Sequence, residues 1–123
     1  MPLFHHVNLG VPPDDVDAEI DFLTQVLDFR PVPRDETLTA LGARWYQDDD
    51  GAQIHLSADP DHRPAAKAHV AIAYGPALGM VEDRLRQAGV PFDRAELPGL
   101  PPVLLCCDPA GNRWELRGEN PSK

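Results

Sequence analysis

Apolar and polar positions alternate along residues 3–11 and stop at Pro12-Pro13, which predicts a strand closed by residues that a central strand excludes. Val16, Ile20, Leu23 and Leu27 then recur at helical spacing, and Pro13-Asp14-Asp15 supplies helix-start chemistry, so a helix is predicted to about Asp28. Residues 29–34 suit a short edge strand broken by Pro31 and Pro33, and residues 38–47 a longer strand. Asp48-Asp49-Asp50-Gly51 reads as the hairpin turn into a last strand over 53–57. The turn-rich Asp59–Pro64 links this half to the next.

The second half repeats the order. Residues 67–74 predict a strand, Gly75-Pro76 starts a helix with Leu78, Val81, Leu85 and Ala88 on one face, and Gly89 ends it. Strands follow over 90–94 and 103–107, and Asp108-Pro109-Ala110-Gly111 turns into the last one. There Arg113 and Glu115 share one face, Trp114 and Leu116 the other. Residues 119–123 read as a frayed tail. The pattern is βαβββ twice: one α+β domain over 1–123, with a first module over 1–61 and a second over 62–118.

Each module carries one ligand-type side chain on its opening strand and one on its closing strand. His6 and His55 lie 49 residues apart, and His69 and Glu115 lie 46 apart. Their immediate neighbours are largely Val, Ile, Leu and Trp, which alternation sends to the opposite face for the helices to cover. The four therefore share a polar, small-residue face with Asn8, Gly10, Gln53, Ser57, Ala71 and Ala73. If the two modules curve into one cupped sheet, three imidazoles and a carboxylate converge as a set suited to a divalent first-row metal such as Zn, Ni, Co, Mn or Fe. Of the adjacent His5 and His6, alternation admits one to that face, and His6 is the one with a counterpart, His69. His62 falls in the linker and is expected to be exposed.

Composition narrows the picture. At 123 residues, 42% hydrophobic and 25% charged, the chain suits one soluble domain with a real core. Its net charge of −9 excludes a non-specific grip on nucleic acid, which needs clustered Lys and Arg. No apolar run approaches a membrane span and no signal-like N-terminus is present, so a cytoplasmic protein is expected. The only cysteines, Cys106 and Cys107, are adjacent, form no framework disulfide, and read as buried thiols in a reducing compartment.

The sequence resembles the vicinal oxygen chelate superfamily, which includes glyoxalase I, extradiol dioxygenases, fosfomycin-resistance enzymes and bleomycin-binding proteins. The likeness spans about residues 3–118. It rests on His6-Val7, on Phe22-Leu23 to Val26-Leu27-Asp28-Phe29, on His69-Val70, and on Asp108-Pro109-Ala110-Gly111-Asn112-Arg113-Trp114-Glu115-Leu116. The resemblance implies two βαβββ modules in a cupped, mostly antiparallel sheet with helices outside, a metal held by His6, His55, His69 and Glu115, and a homodimer. His55 stands where glyoxalase I-like enzymes typically carry the Glu that shuttles the substrate proton, so the chain departs there from glyoxalase I itself.

These readings imply a small metal-dependent glyoxalase-like enzyme of lyase or isomerase type, chelating vicinal oxygens of a small substrate. Glu115 is then both a ligand and a candidate proton carrier, and His55 a candidate for the same shuttle should it not bind metal. Gln53, Arg44 and Arg113 are candidates for orienting the substrate. One alternative is an extradiol-type dioxygenase, since His6, His69 and Glu115 reproduce a two-His-one-carboxylate set. Another is a metal-free antibiotic-binding protein of bleomycin-resistance type, offering Trp45, Tyr46 and Trp114 to a cationic aromatic drug.

Overall fold

Where the sequence alternates, the chain forms strands, and where apolar residues recur at three and four it coils. The structure is a computed structural model that describes residues 1–33, 37 and 44–121. The chain divides into two compact units, Met1–Arg63 and Pro64–Lys123.

In the first unit, β1 (His6–Val11) leads through a 3-10 turn at Pro13–Asp15 into α1 (Val16–Asp21), which continues as a wide turn over Phe22–Val26. The strands β2 (Arg30–Pro31), β3 (Arg44–Gln47) and β4 (Gln53–Ala58) complete a sheet ordered β1-β4-β3-β2. β4 runs parallel to β1 and antiparallel to β3. The proline-bearing β2 is an edge strand, as its missing N–H donor requires. The strand expected over 38–47 is seen as Arg44–Gln47; residues 38–43 lie outside the described ones.

The buried stripe of this helix differs from the expected one. Ile20 is only half-buried, whereas Glu19 is fully buried with Val16, Phe22, Leu23, Val26 and Leu27. The cause is the wide turn, where the Leu27 N–H reaches back five residues to the Phe22 carbonyl. That extra residue brings two neighbouring pairs, Phe22-Leu23 and Val26-Leu27, inward together. These residues form the core with Tyr46, Ile54 and Leu56, each large apolar side chain contributing about 1.5–3 kcal/mol by leaving water.

The second unit repeats the topology with β5 (His69–Ala73), α2 (Leu78–Gln87), β6 (Phe92–Ala95), β7 (Val103–Cys107) and β8 (Arg113–Arg117) in the order β5-β8-β7-β6. Leu78, Val81 and Leu85 bury the apolar face of α2; Ala88, expected on that face, is exposed because the helix ends before it. Gly89 takes a φ of +69° there. The Val90 N–H bonds to the Leu85 carbonyl and the Gly89 N–H to that of Arg86, the paired bonds of a Schellman cap. Trp114, Leu104 and Leu116 fill the core of this unit.

The closing hairpins of the two units share one turn. Asp48 Oδ1 accepts the N–H groups of Asp50 and Ala52 at 2.9 and 3.0 Å, and Asp108 Oδ1 those of Ala110 and Asn112 at 3.0 and 2.8 Å. Gly51 and Gly111 follow at φ +90° and +84°, a conformation that favours glycine. Asp108 adds a bond its counterpart lacks, accepting the indole N–H of Trp114 on Oδ2 at 2.9 Å.

Three expectations are corrected. Residues 119–121 are not a free tail: Glu119 accepts from Arg117, and the Pro121 ring and Asn120 backbone lie against Gly75. His62 is half-buried, since a Cβ on Gly10 would stand 2.6 Å from its Nδ1. Only Cys106 is buried; Cys107, one residue on along the pleat, faces solvent.

Candidate functional site

Parallel pairing of first and last strands brings the ligand-type residues together within each unit. In the first unit, His6 lies opposite Gln53 and Asn8 opposite His55, so all four share one face of the sheet. The imidazoles of His6 and His55 stack at 3.9 Å, and on β3 Trp45, opposite His55, stacks on it at 4.4 Å. His55 is thus sandwiched and 8% exposed, its Nε2 lying 2.8 Å from Gln53 Oε1. Because that amide oxygen only accepts, Nε2 carries the hydrogen and Nδ1 keeps its lone pair. Burial first, then the neighbouring His6 and His5, push the His55 pKa down to about 4, leaving a neutral imidazole at neutral pH.

His5 joins this group as well. It precedes the first residue of β1, so strand alternation does not bind it, and its Nδ1 lies 2.8 Å from that of His6. Gln53, expected to face substrate, is engaged by His55. Arg44 is opposite Leu56, which puts it on the face away from His55 and Trp45. It therefore does not join the residues it was expected to serve. Of the three aromatics considered for drug binding, Tyr46 and Trp114 are core, leaving Trp45 on the histidine face.

In the second unit, His69 Nε2 and Glu115 Oε2 are 2.8 Å apart. His69 Nδ1 lies 2.9 Å from the Lys67 carbonyl, which only accepts, so Nδ1 bears a hydrogen and Nε2 is the nitrogen turned to the carboxylate. Two acceptors at that distance need a cation, a proton or a metal ion, to share. Cis positions on an octahedral ion with ~2.1 Å bonds are ~3 Å apart, so the pair suits two metal ligands as it stands. Glu115 Oε1 is held by Arg117 at 2.8 Å, and Arg117 is held in turn by Glu119 at 2.6 Å. Among the described residues, no three or more His, Cys, Asp or Glu are so placed that they could hold a metal ion together.

A cleft of about 600 Å³ opens over this face, lined among others by Lys67, His69, Asp93, Leu105, Arg113 and Glu115. Arg113, a sequence candidate for substrate, is in the cleft beside His69, its partner in the β5–β8 register. Lys67 was not legible as a site residue, because its place depends on the backbone bond to His69. Trp45 was, since the Asp48–Gly51 turn fixes the hairpin register that sets it against His55.

Residues 3–116 match the glyoxalase/bleomycin resistance protein/dioxygenase superfamily. The chain belongs to that superfamily. Solved members have the same fold over nearly its whole length. A glyoxalase family protein from Bacillus anthracis superposes with a TM-score of 0.79 at 20% identity, covering 95% of this chain and 94% of its own. A glyoxalase/dioxygenase from Nostoc punctiforme gives 0.78 at 19%, covering 94% and 89%. A mutant of the fosfomycin resistance protein FosX from Listeria monocytogenes, complexed with Mn(II) and 1S,2S-dihydroxypropylphosphonic acid, gives 0.74 at 16%, covering 98% and 93%. No match among curated protein sequences accompanies these likenesses. Among the described residues of this superfamily member, no helix is long and apolar enough to cross a membrane.

Proposed function

We propose that this glyoxalase superfamily member is a metal-dependent lyase or isomerase acting on a small substrate with vicinal oxygens, with His6, His55, His69 and Glu115 as its metal ligands. The observation that carries the reading is the His69–Glu115 pair, where the Lys67 carbonyl holds Nδ1 as a donor and so turns Nε2, the nitrogen left for a metal, toward a carboxylate. The neutral, Gln53-anchored imidazole of His55 beside His6 is a donor pair of the same kind in the first unit. Mn(II) in the FosX relative supports a divalent ion of this class. When bound, such an ion supplies Lewis acidity to a substrate oxyanion.

The chain's own residues do the rest. Glu115 is 22% exposed, open enough to the cleft to take a proton from a substrate carbon and return it. Arg117 holds its other oxygen and so orients it. Should His55 not bind the metal, its Nδ1 lone pair makes it a second proton carrier. Leu105, 40% exposed at the cleft, offers the substrate an apolar floor. A homodimer in the cytoplasm is part of this reading. Extradiol cleavage of a catechol is the second reading, favoured by the His6, His69 and Glu115 donor set.

The test is metal content per chain of untagged protein beside a His69→Ala/Glu115→Ala variant, followed by turnover of 2-oxoaldehyde hemithioacetals and catechols. About one equivalent of a transition metal, lost in the variant, is the expected result. No metal after incubation with Zn, Ni, Mn and Fe(II) overturns the enzyme reading and favours a metal-free binding protein.

A further inference from the structure

The geometry points to an oxyanion-binding subsite in the cleft of the second unit, where Arg113 and Lys67 hold a carboxylate or phosphonate group of a small substrate beside His69. The inference rests on reading His69 and Glu115 as the reacting end of that cleft. Its basis is how this acidic chain distributes its cations. With 20 acidic residues against 11 Lys and Arg, an arginine readily finds a carboxylate. Arg30 pairs with Asp49, Arg86 and Arg94 with Glu82, and Arg117 with Glu115 and Glu119. Arg113 and Lys67 have no such ion pair among the described residues; Arg63 and Arg84 have none either, but of these four only Arg113 and Lys67 line the cleft.

The contrast is sharpest on one strand. Arg113 and Arg117 lie on the same face of β8, two residues to either side of Glu115. Arg117 is committed to two carboxylates. Arg113 has His69 as its register partner on β5 and Cys107 on β7, neither of them an anion in its ordinary state. The carboxylate nearest along the strand, Glu115, is already taken by His69 and Arg117. Lys67 reaches the same rim because its own carbonyl is tied to His69.

Among the described residues that line the cleft, Asp93 is the one carboxylate outside this chain of bonds, so two cations face one opposing charge. A chain of net charge −9 repels anionic small molecules at long range, and a local pair of cations reverses that at the cleft. The guanidinium supplies a planar fork for two oxygens, and the ammonium a point charge. Residues two apart on a strand are ~6.6 Å apart, so the anionic group and the reacting oxygens belong to one compact molecule, separated by a few bonds.

The experiment titrates the full chain with pyruvate and with methylphosphonate, against uncharged hydroxyacetone, at constant ionic strength. Amide shifts of β5 and β8 are the readout, and metal content is recorded for every sample. Arg113→Ala is expected to weaken both anions about tenfold or more, the scale of a charge-assisted bond pair. Lys67→Ala weakens them less, and Arg113→Lys falls between wild type and Arg113→Ala because it keeps the charge and loses the fork. Hydroxyacetone binding, metal content and the charge-matched control Arg63→Ala remain at wild-type values.

Equal anion affinity in wild type and the Arg113→Ala/Lys67→Ala variant overturns the subsite, as does an equal loss in Arg63→Ala. Metal binding without preference for the anions sinks the subsite alone. Arg113-dependent preference for the anions in a protein that takes up no metal sinks the enzyme reading and leaves the subsite standing.

Discussion

Asp108→Ala is expected to destabilise the protein well beyond Asp48→Ala, although the two aspartates hold the same turn. Both accept two backbone N–H groups, but Asp108 also takes the Trp114 indole hydrogen, with the carboxylate 5% and the tryptophan 1% exposed. A hydrogen bond to a charged group is worth about 1.5–3 kcal/mol, and an orphaned buried donor costs about 1–3 kcal/mol. Removing the carboxylate also relieves the cost of burying its charge, which pulls the total toward the lower end. The balance is ~3–4 kcal/mol for Asp108→Ala. Asp48→Ala frees N–H groups at Asp50, which is exposed, and at half-buried Ala52, where water substitutes, for ~1–2 kcal/mol. Urea unfolding followed by far-UV circular dichroism, in EDTA and at one protein concentration, measures both. A cycle with Trp114→Phe isolates the indole term at ~1 kcal/mol or more. Equal losses at the two aspartates, or a coupling within ~0.3 kcal/mol of zero, refute the argument.

Two further outcomes follow from groups with shifted protonation. His55, its pKa pushed from 6.5 to about 4 by burial and by its histidine neighbours, should stay neutral to below pH 5 in imidazole NMR of the metal-free protein. The unfolded chain takes up that proton between about 6.5 and 4 while the folded one resists, so stability falls as pH drops through that window. A His55→Gln variant lacks this component, and a His55 that titrates near 6.5 contradicts the sandwich. Burial, with Cys107 and Asp108 nearby, pushes the Cys106 thiol up to about 12, whereas Cys107 faces solvent. Iodoacetamide at pH 8 should therefore label Cys107 alone in the native protein and both thiols in urea, as peptide mass spectrometry reports; native labelling of Cys106 is the contrary result.

What could be read from the sequence is what depends on period and on turn chemistry. Alternation and the Asp48–Gly51 and Asp108–Gly111 turns placed the strands, and matching halves announced two like modules, expected to share one cupped sheet where the structure has a four-stranded sheet in each. The faces of His6 with His55, and of His69 with Glu115, follow from the same period of two. What escaped depends on departures from a regular period. The wide turn at Phe22–Val26 brought Glu19 inward in place of Ile20, and no residue in that stretch signals it. His5 escaped because alternation holds only inside a strand. Docking of residues 119–121 on Gly75 and of His62 on Gly10 are contacts between segments far apart along the chain or outside any element, which local pattern does not encode. Arg113 was visible as a substrate candidate; that it has no acid among the described residues, while Arg117 has two, is visible only once partners are known.

The parallel pairing of first strand with last gives the protein an order of assembly. Hairpins β3–β4 and β7–β8 close over short turns and form fast, whereas β1 and β5 must find partners more than forty residues away, at a greater entropic cost and later. His6 meets His55, and His69 meets Glu115, only across those late junctions. Each pair is therefore reserved for chains whose own sheet has closed: a ribosome-bound or partly refolded chain lacks the His6–His55 pair until β4 joins β1, and the His69–Glu115 pair until β8 joins β5.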